Sequence, residues 1–173
     1  MGGILLTQDL TLQTDNGKLN IRVAAWIEHE EQLLMCEFPD GTISLPGGRM
    51  QFGETSEEAV KREIFEETGE QITDVKLIAV IENFFHYNQP FHELLFVYRG
   101  SLPIKVSYSG IDFGSQKIHW LPKSNADQLK PAVLALLAIA NKNISSKIVS
   151  SPSYHLLLFS TLIPELESSS AKV

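Results

Sequence analysis

The stretch LPGGRMQFGETSEEAVKREIFEETG, residues 45–69, begins with a loop signal that runs directly into a helix signal. Pro46 lacks a backbone donor, and Gly47 and Gly48 admit backbone conformations that other residues avoid. A regular helix or strand therefore cannot continue through them. We predict a loop of special conformation, whose backbone can approach a ligand closely or offer a carbonyl oxygen to a metal ion.

The helix signal that follows has a recognisable beginning and end. Thr55 or Ser56 is a suitable N-cap, and Glu58, three residues after Thr55, completes the pattern of a capping box. Gly69 is the kind of residue that commonly ends a helix in the left-handed conformation. The spacing therefore predicts a helix over residues 56–68.

Three glutamates of this helix, Glu63, Glu66 and Glu67, stand at positions i, i+3 and i+4. Their side chains therefore project from one helix face and lie close to one another. This cluster is either a solvated acidic surface, with Lys61 and Arg62 as counter-charges, or a site for a hard divalent cation. The adjoining glycine loop favours the cation site, because its backbone groups can join the carboxylates.

The spacing of glycine, glutamate and arginine across the loop and helix resembles the Nudix box of the MutT-like hydrolases. The matching positions are Gly48, Glu54, Arg62-Glu63-Ile64, Glu66-Glu67 and Gly69. Only the last position of the box departs from the pattern, because Glu70 stands where an aliphatic residue is usual. The resemblance implies a hydrolase that cleaves a diphosphate bond, and an α/β/α sandwich with a mixed central sheet.

The resemblance also implies roles for individual residues. In relatives, carboxylates at the positions of Glu63, Glu66 and Glu67 bind divalent ions, often with the backbone carbonyl at the position of Gly47. Arg62 matches the arginine that orients the first of these glutamates. Such ions neutralise the charge of a diphosphate and lower the pKa of a bound water. The expected cofactor is therefore Mg²⁺ or Mn²⁺.

In this family the general base is a glutamate of the box or an acidic residue from a later loop. Glu66 is the first choice within the box. Outside it, Glu93 starts a predicted strand near the site, and Asp112 lies in a Ser-Gly loop. Each of these two is alternatively an ordinary surface carboxylate. The predicted catalytic residues are Glu66, Arg62, Glu63, Glu67 and Glu93.

Two residues outside the helix are candidates for substrate contacts. Arg49 directly follows the glycines, where it can contact a phosphate, or it is a surface arginine. Phe85 belongs to an aromatic cluster at residues 84–87 and can stack a nucleobase. Its alternative role is packing in the core or in a loop.

The rest of the chain predicts strands around this unit. Alternating apolar and polar residues, with turn signals between them, are typical of hairpins. The predicted strands cover residues 4–12, 19–27, 32–38, 75–82, 91–99 and 117–121. A second helix is predicted over residues 132–140, with Pro131 at a position typical of a helix start. Strands interleaved with two helices predict an α/β sandwich.

A chain of 173 residues, 43% hydrophobic and 20% charged, is expected to form one ordinary domain. We assign residues 1–140 to the hydrolase domain and residues 141–173 to a C-terminal extension. An apolar patch at residues 154–159 is expected to pack on the core or on a second subunit. A homodimer is compatible with either arrangement.

The formal net charge of −7 argues against a nucleic-acid polymer as partner, because such binding depends on many Lys and Arg contacts to phosphate. The expected partner is a small nucleotide: a nucleotide sugar, ADP-ribose, a dinucleotide or a nucleoside triphosphate. Cys36, the only cysteine, excludes an intramolecular disulfide. No apolar stretch approaches the roughly 20 residues that span a bilayer, so no membrane contact and a cytoplasmic protein are expected.

Two other classes of function remain open at this point. A regulatory module would keep the fold and bind a nucleotide or metabolite without catalysis, although degenerate relatives usually lose box carboxylates that are intact here. A structural interaction domain, assembled through the apolar C-terminal segment, predicts that Glu66→Gln leaves its function untouched.

Overall fold

The computed structural model describes residues 8–110, 115–139 and 147–158. Its strands are β1 (Thr11–Thr14), β2 (Gly17–His29), β3 (Gln32–Glu37), β4 (Ile43–Ser44), β5 (Thr73–His86), β6 (Pro90–Ser101), β7 (Lys117–Pro122), β8 (Lys147–Ser151) and β9 (Tyr154–Leu158). The helices are α1 (Ser56–Thr68) and α2 (Ala135–Ile139), with 3₁₀ helices at Lys123–Gln128 and Ala132–Leu134. No described helix combines the length and apolar character needed to cross a membrane.

The described strands form one mixed sheet. Its main order is β4-β3-β2-β6-β5-β9-β8, while β1 pairs with β2 and β7 pairs with β3. Strands β2 and β6 run parallel, and the other pairs are antiparallel. The sequence-based prediction of an α/β fold with a mixed central sheet is confirmed.

The two faces of the sheet pack against different layers, because successive residues of a strand point to opposite faces. On one face, Val23 of β2 packs with Val60 and Ile64 of α1. On the other face, Trp26 of β2 packs with Leu134 from the C-terminal helical segment. Burial of both faces explains why the central part of β2 is an almost continuous apolar run.

Helix α1 has the bounds that its sequence predicts. Thr55 is the N-cap, and its hydroxyl accepts a hydrogen bond from the backbone N–H of Glu58. The Glu58 carboxylate in turn accepts from the backbone N–H of Thr55 at 2.8 Å, which completes the capping box. Gly69 ends the helix with φ 75°, in the left-handed region, and its N–H donates to the carbonyl of Phe65.

The central hairpin is longer than predicted. Strand β5 continues past residue 82 through Phe84 and Phe85, and the pairing with β6 closes at His86 and Pro90. The aromatic side chains extend the strand because they pair across the two strands, which stabilises a sheet. At the N-terminus, residues 4–7 of the first predicted strand lie outside the described residues, and β1 begins at Thr11.

The prediction of a second helix over residues 132–140 is wrong for its first residues. The segment begins as a 3₁₀ helix at Ala132–Leu134, and α2 covers only Ala135–Ile139, while residue 140 lies outside the described part. Pro131 has ψ 149° and precedes the 3₁₀ turn instead of forming its first residue. The tight turn buries both Val133 and Leu134 in the core, so packing overrides the simple helical pattern.

The apolar C-terminal patch packs on this chain's own sheet. Strand β9 pairs antiparallel with β5, and β8 pairs with β9. Leu156 and Leu158 are buried in the same core as Trp26. Residues 141–146 and 159–173 lie outside the described part, and the assignment of residues 141–173 to a separate extension stays a prediction.

The capping box gives a test of what holds the start of α1. Thr55→Ala removes the hydroxyl that accepts the Glu58 N–H, and it should lower the free energy of unfolding by about 1 kcal/mol. Urea denaturation followed by circular dichroism would measure the change. Thr55→Ser keeps the hydroxyl and is the matched control. Equal losses in the two variants would show that the cap does not stabilise the helix.

Candidate functional site

The glycine turn lies between β2 and α1, close to both. The backbone N–H of Val23 donates to the carbonyl of Gly48 at 2.9 Å. A Cβ atom at Gly47, which has φ 141°, would collide with the backbone of Val23. A Cβ atom at Gly48 would collide with the carboxylate of Glu63. The turn therefore passes between strand and helix only because these two residues have no side chain.

Glu67 joins the helix to this turn. Its carboxylate accepts a hydrogen bond from the backbone N–H of Gly47 at 2.9 Å, and the residue is 8% exposed. Burial raises the pKa of Glu67 to about 8, and the nearby charge of Glu63 acts in the same direction. The Gly47 N–H and the charge of Arg22 oppose the shift. Glu67 is thus a buried carboxyl without a strong cationic partner among the described residues.

Arg62 connects the carboxylates to one another. Its guanidinium forms two hydrogen bonds with Glu54, of 2.7 and 3.0 Å. It also donates to Glu63 at 2.9 Å, to Glu66 at 3.0 Å and to the backbone carbonyl of Arg49 at 2.9 Å. Arg62 therefore contacts Glu63, the glutamate that it is predicted to orient, and fixes the loop after the glycines against α1.

These groups surround a polar cavity of about 330 Å³. It brings together Arg62, Glu63, Glu66 and Glu67 of the box with the glycine turn and Arg49. The lining residues are Asp9, Arg22, Gly47, Gly48, Arg49, Gln51, Arg62, Glu63, Glu66, Glu67 and Gln116. Arg49 lies at the rim, about half exposed, with its guanidinium 3.6 Å from the carboxylate of Asp9.

The cavity has the donor chemistry for a hard cation, although its carboxylates do not converge on one point. No three His, Cys, Asp or Glu side chains within the described ranges are arranged to hold a metal ion. Glu63 and Glu66 face Arg62, and Glu67 faces Gly47. Burial raises the pKa of Glu63 as well as that of Glu67, so a cation there would relieve a real electrostatic cost. Oxygen donors of this kind suit Mg²⁺ and Mn²⁺.

Glu93 lies beside the cavity and outside its lining. It is on β6, 4% exposed, with one carboxylate oxygen 3.8 Å from the Arg22 guanidinium. The other oxygen accepts from the side-chain amide of Asn83 at 3.5 Å. Asp112, the other candidate outside the box, lies outside the described residues.

Phe85 lies in a different place from the carboxylates. It stacks on Phe91 with ring centroids 4.8 Å apart, next to a cleft of about 680 Å³ at the tip of the β5–β6 hairpin. Along β6, Phe91 is four residues from Leu95, the partner of Arg22, which is about 13 Å of strand. The structure therefore does not bring Phe85 to the cavity, and a contact with substrate stays a prediction.

Four lining residues were not predicted from the sequence: Asp9, Arg22, Gln51 and Gln116. Arg22 gives the clearest signal in retrospect, because it is the charged position in the apolar run of β2. Alternation places its side chain on the same sheet face as Ala24 and Trp26. Its nearness to the box depends on pairing between β2 and the glycine turn, which the spacing of residues does not encode.

The pKa of Glu67 predicts how stability depends on pH in chelator. Because the pKa is about 8 in the folded chain and 4.5 ordinarily, the folded state binds this proton more tightly. The free energy of unfolding should therefore fall as pH rises from about 4.5 to about 8. Urea denaturation across this range would measure the fall. Glu67→Gln should flatten this part of the profile, and an unchanged slope in that variant would contradict the assignment.

Comparison with known proteins shows which proteins share this fold. Residues 18–136 match the NUDIX domain model. A MutT protein from Bacillus halodurans has a similar structure, with a TM-score of 0.57 and 20% identity, over 79% of this chain and 97% of that one. A MutT NUDIX hydrolase from Burkholderia pseudomallei also has a TM-score of 0.57, with 22% identity, over 70% and 98% of the two chains.

The sequence relatives cover a shorter region. An RNA pyrophosphohydrolase of Blochmanniella pennsylvanica is 32% identical over 78 residues, which are 44% of this chain and 49% of that protein. The chain spans about half the length of the curated relatives that it matches. The domain match, in contrast, includes the glycine turn, α1 and most strands of the sheet. The chain belongs to the NUDIX family.

Proposed function

We propose that this chain hydrolyses a diphosphate bond in a nucleoside diphosphate linked to another group, with a divalent cation bound at the α1 carboxylates. The observation that carries the proposal is the cavity in which Glu63, Glu66 and Glu67 meet the Gly47-Gly48 turn. Membership of the NUDIX family supports the same reaction class.

The proposed metal ligands are Glu63, Glu66, Glu67 and the backbone carbonyl of Gly47. Within the described part of the chain, no donor bonds to this carbonyl, while the Gly48 carbonyl is used by β2. Bound Mg²⁺ or Mn²⁺ would supply neutralisation of the diphosphate charge and a more acidic water. The ligands are all oxygens, as these ions prefer.

Glu66 is the proposed general base. Its side chain is 35% exposed and lines the cavity, whereas Glu67 is almost fully buried. A base must lie within hydrogen-bond reach of the water that it deprotonates, and the position of Glu66 in the cavity wall supports this role. Arg62 holds one of its carboxylate oxygens at 3.0 Å and so limits its orientation.

Arg49 is the proposed contact for a phosphate at the cavity rim. Its guanidinium is half exposed and has only a 3.6 Å ion pair with Asp9 among the described residues. Such a weakly held arginine can turn to a phosphate and form two hydrogen bonds with it. A cytoplasmic location and a homodimer stay predictions, and the proposed reaction depends on neither.

The proposed substrates are small nucleotides, with one alternative that the relatives suggest. The net charge of −7 disfavours extended contacts with a polyanion. Two curated relatives are named RNA pyrophosphohydrolase. The end of an RNA with a 5′-triphosphate offers the same anhydride bond, so it belongs in any test of substrate.

The first experiment measures product release from a substrate panel with Mg²⁺, with Mn²⁺ and with chelator. The panel contains ADP-ribose, nucleotide sugars, dinucleotides, nucleoside triphosphates and a short 5′-triphosphorylated RNA. One class should be cleaved only with metal, and Glu66→Gln should reduce kcat by about 10²- to 10⁴-fold. Glu57→Gln is the matched control, because Glu57 is an exposed glutamate of the same helix paired with Lys61.

The outcomes of this experiment separate the rival functions. Cleavage without metal, or full activity in Glu66→Gln, would overturn the proposed mechanism. If nothing is cleaved but one compound binds in a metal-dependent way, the regulatory module becomes the better account. If no compound binds, the structural interaction domain does.

The glycine turn gives a second test, since its two glycines have different neighbours. In Gly48→Ala the new Cβ meets the flexible end of Glu63, so the fold should survive while Mg²⁺ affinity and activity fall at least tenfold. In Gly47→Ala the Cβ meets the backbone of Val23, so the melting temperature should fall. Thermal denaturation and Mg²⁺ titration would separate the two effects. Wild-type metal affinity in a folded Gly48→Ala variant would contradict the proposed ligand role of Glu63.

A further inference from the structure

The guanidinium of Arg22 points to a role that the metal ligands do not explain. Arg22 lines the carboxylate cavity from β2, and its side chain is 41% exposed. Its Nε atom is buried and has no hydrogen-bond partner among the residues that the structure describes. Within the described ranges its one ion pair is with Glu93, at 3.8 Å, which is too long for a hydrogen bond.

The other two arginines of the cavity are used differently. The guanidinium of Arg62 already donates to three carboxylates and to a backbone carbonyl. Arg49 is half exposed at the rim. Within the described ranges, Arg22 therefore also keeps unused N–H donors, and it lies in the cavity wall beside the carboxylates. A planar guanidinium in this state matches the geometry of a phosphate group.

Glu93 is the carboxylate that lies beside this guanidinium. The carboxylate is on the neighbouring strand β6 and almost fully buried, with Asn83 at its other oxygen. A buried carboxylate without a cation nearby is costly, so Glu93 attracts Arg22 and limits the directions that its side chain can take. Because Glu93 does not line the cavity, it cannot easily reach a water there as a base must.

We propose that Arg22 binds a phosphate of the substrate and that Glu93 is the positioning residue that holds the Arg22 guanidinium at the cavity wall. The inference rests on the proposed function, since it names a contact within the same site. It gives Glu93 a role other than the general base that its position in the sequence suggests.

Binding of inorganic pyrophosphate, measured by calorimetry with Mg²⁺ and with chelator, tests the contact without turnover. Arg22→Gln should weaken binding about 10- to 100-fold in both conditions, as expected for lost charged hydrogen bonds. Arg22→Lys should recover part of the loss. Arg99→Gln is the matched control, because Arg99 is an exposed arginine of β6 that does not line the cavity.

The positioning role is tested by a double-mutant cycle. Glu93→Gln should weaken pyrophosphate binding about 3- to 10-fold, and Arg22→Gln/Glu93→Gln should bind no more weakly than Arg22→Gln alone. Thermal denaturation of each variant would identify any that do not fold, and the isosteric Gln at residue 93 keeps the packing. Wild-type binding in folded Arg22→Gln would overturn the phosphate contact, and independent, additive effects would overturn the coupling.

Steady-state kinetics with the compound that is cleaved give a further test, because partial unfolding of a variant would not produce the same changes in KM, kcat and pH dependence. Both single variants should raise KM more than they lower kcat, and Glu93→Gln should keep the shape of the pH–rate profile. Loss of the acidic limb in Glu93→Gln would show that Glu93 is a base, and would overturn the inference. If no compound is cleaved, the proposed function fails, and the pyrophosphate titrations in chelator still decide the role of Arg22.

Discussion

The narrow space between β2 and α1 is the constraint on which this site depends. The Gly47-Gly48 turn occupies that space, with Val23 bonded to one side and Glu67 to the other. A side chain at either glycine would displace the strand backbone or Glu63. The turn thus brings bare backbone to the helix face that carries the carboxylates. A site of this kind needs β2 and α1 at close packing distance, with the glycine turn between them.

Arg62 is the counter-charge that allows α1 to carry several carboxylates on one face. Like charges at i+3 and i+4 weaken a helix unless a cation lies among them. Arg62 reaches Glu63, Glu66 and Glu54 together, and its hydrogen bonds with Glu54 lower the pKa of Glu54 despite partial burial. Glu67 lies beyond the contacts of Arg62, and burial raises the pKa of Glu67. The carboxylate with the greatest need for a cation is therefore the one that contacts the glycine turn.

Local signals in the sequence predicted the helix and the turn correctly, since each signal acts within a few residues. Thr55 and Gly69 fix the ends of α1 through bonds to their own neighbours. The alternation of apolar and polar residues likewise predicts the central strands. It does not predict their lengths, because the length of β5 depends on its pairing with β6. The apolar residues near Leu156 were assigned to packing, yet their place beside β5 depends on a contact across most of the chain.

The same distinction explains why Arg22 was missed and why Glu93 was given a different role. In the sequence, Glu93 was predicted to start a strand near the site and to be a candidate general base. Parallel pairing of β2 with β6 instead buries it two residues along from the partner of Arg22. Neither residue belongs to a sequence motif. Arg22 and Glu93 lie close together only because of the register between β2 and β6, which are far apart in sequence.

The overall charge and the local charge of this chain affect different parts of the proposed substrate. A net charge of −7 is felt by any polymer that runs along the surface, and it opposes such binding. The diphosphate of the proposed substrate would instead meet the cavity, where Arg22, Arg49 and Arg62 lie among the carboxylates. Because fields in a cleft are set mainly by the nearest charges, an acidic protein can still accept an anion there once a cation offsets its glutamates. The acidic surface therefore opposes binding of those parts of the proposed substrate that lie outside the cavity. It has less effect on the binding of the diphosphate inside the cavity.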